Sequence, residues 1–448
     1  MDRSALLLAI ALGAASPAAA QAPLTLAEAF RRADAAGYAN RIADGASRSQ
    51  SAQVTAALRG ILPTLRVEGG VARTDDPLAA FGFTLQQRSV TAAAFDPMRL
   101  NAPDPVTNWH GSVVAEIPIF NADALVGRTA AAKLADAARA NAGWVRATTR
   151  AEVTRAYFAA ILAREQARTL VSAVTAATAH VRQAESMVNN GLATRSDALL
   201  ASIQQGRFEA QLLGAEGNAT IARERLALLL GQPGDTSFTL PDSLPAAMRV
   251  RALANVTTGD AAATRLDVTA AQFGLDAANR DGLRAKAGYL PRLNGFARSD
   301  WNSADRFFGG RSSYTLGVMA SWSPFRGAAQ IADRDATQGR TASARAALEA
   351  TEVGAALERS AARTLLSVAI AQLEIARASL AQATEAHRIV ERKYAGGLAT
   401  IAELLGAATA ENDSRLGLAE ARFQVIVAAA AAHLAAGDDL TALTQLEN

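Results

Sequence analysis

NADALVGRTAAAKLADAARANAGWVRATTRAEVTRAYFAAILAREQARTLVSAVTAATAHVRQAESM, residues 121–187, contains no proline and keeps a helical pattern throughout. At about 1.5 Å per residue a helix this long extends on the order of 100 Å, several times the usual globular helix. A compact domain cannot bury such a rod. A second stretch of the same kind runs over 326–393, and the surroundings of the two match. Ile61-Leu62-Pro63-Thr64-Leu65, alternating residues and Ile117-Pro118-Ile119-Phe120 precede the first. Tyr289-Leu290-Pro291-Arg292-Leu293, alternating residues and Trp322-Ser323-Pro324-Phe325 precede the second. Gly191-Leu192-Ala193-Thr194 follows one and Gly397-Leu398-Ala399-Thr400 the other. The chain is an internal duplication of one elongated unit.

The segments before each rod change period. Leu65, Val67, Gly69 and Val71 alternate with Thr64, Arg66, Glu68 and Gly70; from His110 onward Val113, Ala115, Ile117 and Ile119 do the same, with Val114 breaking the alternation. In the second half Tyr314, Leu316, Val318, Ala320 and Trp322 oppose Ser313, Thr315, Gly317 and Ser321. One apolar and one polar face is a strand between oil and water, and in an exported protein also the pattern of a membrane barrel strand. Four strands are expected, over 64–75, 109–120, 290–300 and 312–322. Residues 76–108 read as a long polar loop whose prolines discourage regular structure, and residues 301–311 as a short one. Trp109, Trp301, Tyr314, Trp322 and Tyr289 fall near strand ends, as interfacial girdle or as packing residues.

Each rod ends at a glycine suited to the left-handed C′ position, Gly191 or Gly397, with Leu192 or Leu398 placed to pack back on the helix. Thr194 then caps a new helix with Asp197 at N3, and Thr400 does so with Glu403. So short a turn forces an antiparallel hairpin. The expected organisation is a signal peptide over 1–20 and a first repeat over 21–230, with an opening helix from Thr25 to Arg59, a long helix 121–187 and a returning helix 194–230. A connector 231–262, a second repeat 263–436 with helices 326–393 and 400–435, and a tail 437–448 complete the chain.

Residues 1–20 read as a secretory signal: Arg3, an apolar run Ala5–Leu12, then Ala18-Ala19-Ala20 before Gln21. The chain has no cysteine, which excludes a lipid anchor on cysteine and any disulfide framework. Beyond the N-terminus nothing reads as a transmembrane helix. A net charge of +3 from 45 basic and 42 acidic residues gives no case for nucleic-acid binding. His110, His180, His387 and His433 have no metal-ligand spacing, and no convergent catalytic cluster is found, so no metal, cofactor or enzymatic activity is expected.

In the order, duplication and spacing of these marks, the mature chain resembles the outer membrane efflux protein family, the TolC-like exit ducts. The marks are Leu24–Ala29, Leu62-Pro63, Leu290-Pro291, Pro118-Ile119-Phe120, Pro324-Phe325 and the paired Gly-Leu-Ala-Thr turns. The resemblance implies a mainly α protein with a membrane β-barrel: a homotrimer in the Gram-negative outer membrane, each chain giving four strands to a twelve-stranded barrel continued by a periplasmic helical tunnel. It implies passive conduction, with a periplasmic adaptor and an inner-membrane pump as partners; a type I secretion duct is the alternative, and a non-pore adaptor or coiled-coil scaffold a further one. It places adaptor docking at Gly191, Leu192, Thr194, Gly397, Leu398 and Thr400, and a gate of acidic residues at Glu403, with Asp197 its counterpart. A ring of three Glu403 carboxylates favours cations and raises their pKa values. The next acid expected from the family falls at Gly406, a departure from the two-ring pattern.

Overall fold

Thr25 starts the first described helix by accepting the Glu28 N–H at 3.2 Å, as its position before an amphipathic run requires. The Glu28 carboxylate does not complete the reciprocal cap; it pairs with Arg32 at 2.8 Å and with Arg31. The computed structural model describes residues 23–252 and 265–447, so the signal-peptide expectation lies outside the described residues. Helices are α1 Leu26–Ala36, α2 Tyr38–Ala56, α3 Pro77–Gln86, α4 Pro97–Asn101, α5 Ala122–Asn189, α6 Arg195–Leu229, α7 Ala247–Ala252, α8 Leu266–Ala287, α9 Ala329–Ala395 and α10 Ile401–Ala436. Strands are β1 Thr64–Thr74, β2 Val106–Phe120, β3 Arg292–Ser303 and β4 Ser312–Ser321. The described residues are thus mostly helical, with one antiparallel sheet of order β1-β2-β3-β4. It divides into two units, one drawn from residues 1–42, 144–265 and 355–448, the other from 43–143 and 266–354.

The first unit is helical. Its core gathers Leu26 and Phe30 of α1, Val153, Tyr157 and Ile161 of α5, Leu226 of α6, Leu373 of α9 and Ile426 of α10. Tyr157 is fully buried and donates its hydroxyl to the Leu24 carbonyl at 2.7 Å, so its one polar atom is satisfied. The segment after α6 is also core: Phe238, Leu240 and Leu244 are buried, and arginines hold its carbonyls, Arg223 those of Thr236 and Phe238 at 2.6 and 2.7 Å, and Arg164 that of Leu240 at 3.0 Å. The C-terminal tail after α10 packs on this core. It forms a 3-10 segment, Leu440–Glu447, burying Leu440, Leu443 and Leu446, apolar at the three-residue spacing that a 3-10 turn aligns.

The opening helix expected over Thr25–Arg59 is broken. Gly37 takes an extended ψ of 133°, and the Ala33 carbonyl, which accepts the Gly37 N–H at 2.9 Å, also accepts the Asn40 side-chain amide at 3.0 Å. The end of α6 comes close here: a Cβ on Gly37 would lie 3.2 Å from the Leu229 carbonyl oxygen, and 2.5 Å from the Ala33 oxygen of its own helix.

The second unit holds the sheet. Residue pairs Leu65↔Ala115, Val67↔Val113, Ala115↔Ala297 and Ala297↔Leu316 share one face, and Leu65, Val67, Tyr314, Leu316 and Val318 on that face are exposed. The opposite face is polar, with His110 Nε2 3.7 Å from Asp300, Arg298 2.7 Å from Asp300, and Asn108 donating to Asn302 at 2.8 Å. At Ile119 the β2–β3 register slips by one residue, a bulge beside Pro118, which has no N–H to give the ladder. The loop expected over 76–108 contains α3 and α4. Each begins at an Asp-Pro pair: Asp76 accepts the Ala79 N–H at 2.8 Å and Asp96 the Met98 N–H at 2.9 Å, with proline at the first turn, where its missing N–H costs nothing. Gln87 at the end of α3 donates to Asn108 and to the Thr107 carbonyl, tying this segment to the polar face.

Contrary to the sequence-based expectation, α9 and α10 each contain a stretch long and apolar enough, by composition alone, to cross a membrane. Alanine makes up much of both helices, and half of the α10 stretch is buried inside the protein.

Candidate functional site

The two hairpin turns are near copies. Gly191 and Gly397 have φ of +73° and +72°; the N–H of Leu192 reaches the Met187 carbonyl and that of Leu398 the Lys393 carbonyl, both at 2.8 Å. This is the six-to-one closure of a Schellman turn. Leu192 and Leu398 do not pack back on their helices as the sequence suggested: they are 73% and 82% exposed. Beneath them the hairpins share a small core of Ala184, Ala201, Tyr394, Ile401, Leu404 and Leu405, already complete without the two leucines.

Both capping boxes are present. The Asp197 carboxylate accepts the Thr194 N–H and hydroxyl, each at 2.8 Å. Glu403 accepts the Thr400 N–H at 2.7 Å and hydroxyl at 3.0 Å, both on Oε2, which leaves Oε1 for another partner. The backbone N–H of Thr400, then its hydroxyl, hold the Glu403 carboxyl below its ordinary value, the reverse of the rise that a ring of three would impose. Burial and, secondarily, the Asp197 charge push the Tyr394 hydroxyl up.

The aromatic candidates divide between the strand ends. Trp109 packs edge-on against Phe307, centroids 4.7 Å apart, and Trp301 against Phe308 at 5.4 Å. The two phenylalanines lie over β-sheet glycines: a Cβ on Gly69 would meet Phe307 at 3.3 Å and one on Gly111 would meet Phe308 at 2.9 Å. Nothing in the alternation of the strands signals these loop residues. Tyr314 is 80% exposed on the apolar face. Trp322, at the other end, donates its indole N–H to the Tyr289 carbonyl at 3.0 Å.

The family model "Outer membrane efflux protein" matches residues 43–232 and 258–438, most of the chain. The chain belongs to the outer membrane efflux protein family. Its function is therefore that of a passive outer-membrane duct, without catalysis. Solved structures share the fold at low identity. A membrane protein from Pseudomonas aeruginosa has a TM-score of 0.78 at 20% identity, covering 92% of each chain. The outer membrane protein VceC from Vibrio cholerae gives 0.74 at 20%, over 92% of this chain and 96% of that one. The open state of the Neisseria gonorrhoeae MtrE outer membrane channel gives 0.71 at 18%, over 93% and 90%. No curated protein sequence matches the chain.

The efflux protein brings together histidines that its sequence keeps far apart. The rings of His180 on α5 and His387 on α9 lie 6.3 Å apart, and His387 Nδ1 is 2.6 Å from Glu411 Oε2 on α10. His180 is 8% exposed, and its Nε2, His387 Nε2 and Asn412 Nδ2 have no hydrogen-bond partner among the described residues. Among the described residues no group of three metal-capable side chains forms. Burial, then the neighbouring His387, holds the His180 imidazole below its ordinary value, against a smaller opposing effect of Glu391. A histidine kept neutral by its site binds fewer protons than when released. Packing here is therefore at full strength above about pH 6.5, the unperturbed histidine value, and weakens as pH falls through and below it. Hydrogen exchange along 177–184, corrected for intrinsic rates, should be faster at pH 5 than at pH 7.5, and His180→Gln should reduce that difference. Equal corrected protection at the two pH values would remove the histidine from this role.

Proposed function

We propose that the protein is the trimeric exit duct of a tripartite efflux pump, conducting small molecules outward through a twelve-stranded barrel. The observation that carries this reading is the sheet. It has an apolar exposed face, a polar face, and two unpaired edge strands, β1 and β4. Lipid does not tolerate open strand edges, and four strands are too few to close on themselves, so β4 of one copy pairs with β1 of the next. On this reading the apolar face meets lipid and the polar face lines the pore. Trp109, Trp301, Tyr314 and Trp322 are then girdle residues, with Phe307 and Phe308 added to the first pair.

The hairpin turns are the adaptor-docking ends. Leu192 and Leu398 are apolar and exposed with a finished core beneath them, which suits them to a partner rather than to their own helices. Gly191, Thr194, Gly397 and Thr400 hold the shape of that surface. Glu403 caps its helix with one oxygen and faces the pore entrance with the other, and Asp197 plays the equivalent part in the first hairpin. An inner-membrane pump supplies the energy through the adaptor.

The deciding experiment is planar-bilayer recording of detergent-extracted protein, with its mass measured on the same sample. A trimer with small, discrete, cation-preferring conductance is expected. Glu403→Gln keeps the cap, since an amide oxygen also accepts the Thr400 N–H, but removes three charges. Cation preference should fall by about twofold or more at unchanged mass. Unaltered selectivity would take Glu403 out of the gate. A water-soluble monomer without conductance would overturn the duct assembly itself.

A further inference from the structure

A groove of about 1070 Å³ lies between α8 and the start of α9, where β3 begins. It is strongly basic. Asp281 holds Arg284 at 2.8 Å and Arg340 at 2.6 Å, Asp123 holds Arg292, and Asp333 lies 3.9 Å from Arg326. These three acids contact four of the seven cations lining the groove. Lys286, Arg334 and Arg345 have no acidic partner at ion-pair distance among the described residues, and all three are exposed. Three carboxylates against seven cations leave four net positive charges around one concavity, a field that attracts an anion.

The chain on either side of the groove is apolar. Phe325, directly before Arg326, is 81% exposed; Trp322 is 63% and Leu290 49% exposed. Basic residues thus stand beside aromatic and aliphatic ones where membrane strands give way to helices. That juxtaposition matches an amphiphile whose charged end is anionic and whose other end is hydrocarbon.

We infer that the α8–α9 groove binds the headgroup of an anionic membrane phospholipid, with Lys286, Arg334 and Arg345 supplying unpaired positive charge along it and Trp322 and Phe325 beside the acyl chains. This rests on the reading of β3 and β4 as membrane strands. The volume is within the range of small-molecule pockets, large enough for a headgroup.

The test is native mass spectrometry of the delipidated, detergent-extracted protein, titrated with phosphatidylglycerol, with phosphatidylcholine of the same acyl chains, and with inorganic phosphate. Phosphatidylglycerol should be retained at least about fivefold better than phosphatidylcholine. The triple variant Lys286→Gln/Arg334→Gln/Arg345→Gln should lose that preference by about tenfold or more. These side chains are exposed, so the substitutions open no cavity. Equal retention of the two lipids, or an intact preference in the triple variant, would overturn the site. Inorganic phosphate binding as tightly as phosphatidylglycerol would overturn the lipid assignment in favour of a free anion. Loss of oligomer mass in the variant would overturn it too, making the groove a subunit contact. A protein that needs no detergent for extraction would instead fail the membrane-strand reading, a result distinguishable from all of these.

Discussion

Replacing Glu165 with alanine should cost about 3–5 kcal/mol of stability, the usual consequence of stripping one partner from a largely buried ion pair. Glu165 on α5 and Arg422 on α10 form such a pair, with side chains 16% and 13% exposed. Glu165 also accepts the Leu244 N–H at 2.9 Å, and Arg422 donates to the Leu244 carbonyl at 3.2 Å. One pair therefore fixes two long helices and both polar groups of a buried connector residue. Alanine leaves a guanidinium without an anion and orphans the Leu244 N–H, and neither loss is made good by water at this depth. The double variant Glu165→Met/Arg422→Met removes both charges and fills the space, so it should be less damaged than the sum of the single variants. Thermal unfolding of the extracted protein measures all three. Single variants within about 1 kcal/mol of the parent, or a double variant as poor as the sum, would show that the pair does not carry this load.

The sequence shows the sheet because one face meets hydrocarbon and the other water, and a period of two records that directly. Thr64 to Val71 and Ser312 to Trp322 are assignable to faces from their alternation alone. The hairpin caps are equally legible, since Thr194 with Asp197 and Thr400 with Glu403 are local chemistry spanning three residues. Misreadings arise where the same residue type serves two purposes. Pro77 and Pro97 count against regular structure in 76–108, yet each follows an aspartate and opens a helix. Gly37 is one glycine in a helical run, and the nearness of the Leu229 carbonyl, which favours a residue without a Cβ there, is not written in the local sequence.

Burial between distant segments is the least visible property. His180 and His387 belong to different repeats of the chain and meet only because α5 and α9 pack together. Leu192 and Leu398 look like ordinary Schellman leucines, and their exposure follows from the core of Tyr394, Ile401 and Leu404 being closed without them. The C-terminal Leu440, Leu443 and Leu446 carry a readable three-residue spacing, but a segment that short is decided by what it covers. Here it covers α1 and α10 side chains in the main core. The functional ends of the chain are thus legible where local chemistry sets them and hidden where packing does.

Gly231→Ala should be the most damaging single-methyl change in the helical unit, at about 2–5 kcal/mol from the combined left-handed backbone and overpacking costs. Gly231 follows α6 with φ +75°, and a Cβ there would lie 2.3 Å from the Ala36 carbonyl oxygen and 2.5 Å from its carbon. Those are backbone atoms at the end of α1, so no rotamer change relieves the contact. The close approach is what lets the C-terminal ends of α1 and α6 touch, and Gly37 on the opposite side makes the reciprocal allowance. Gly234 supplies the control within the same turn: its φ is +85°, but nothing lies within 4 Å of where a methyl would stand. Gly234→Ala should therefore cost only the backbone contribution, about 1–2 kcal/mol. The difference between the two variants in thermal unfolding isolates the contact between helix ends. If the two were equally destabilised, backbone conformation alone would set the requirement for glycine, and the junction of α1 with α6 would tolerate a wider gap.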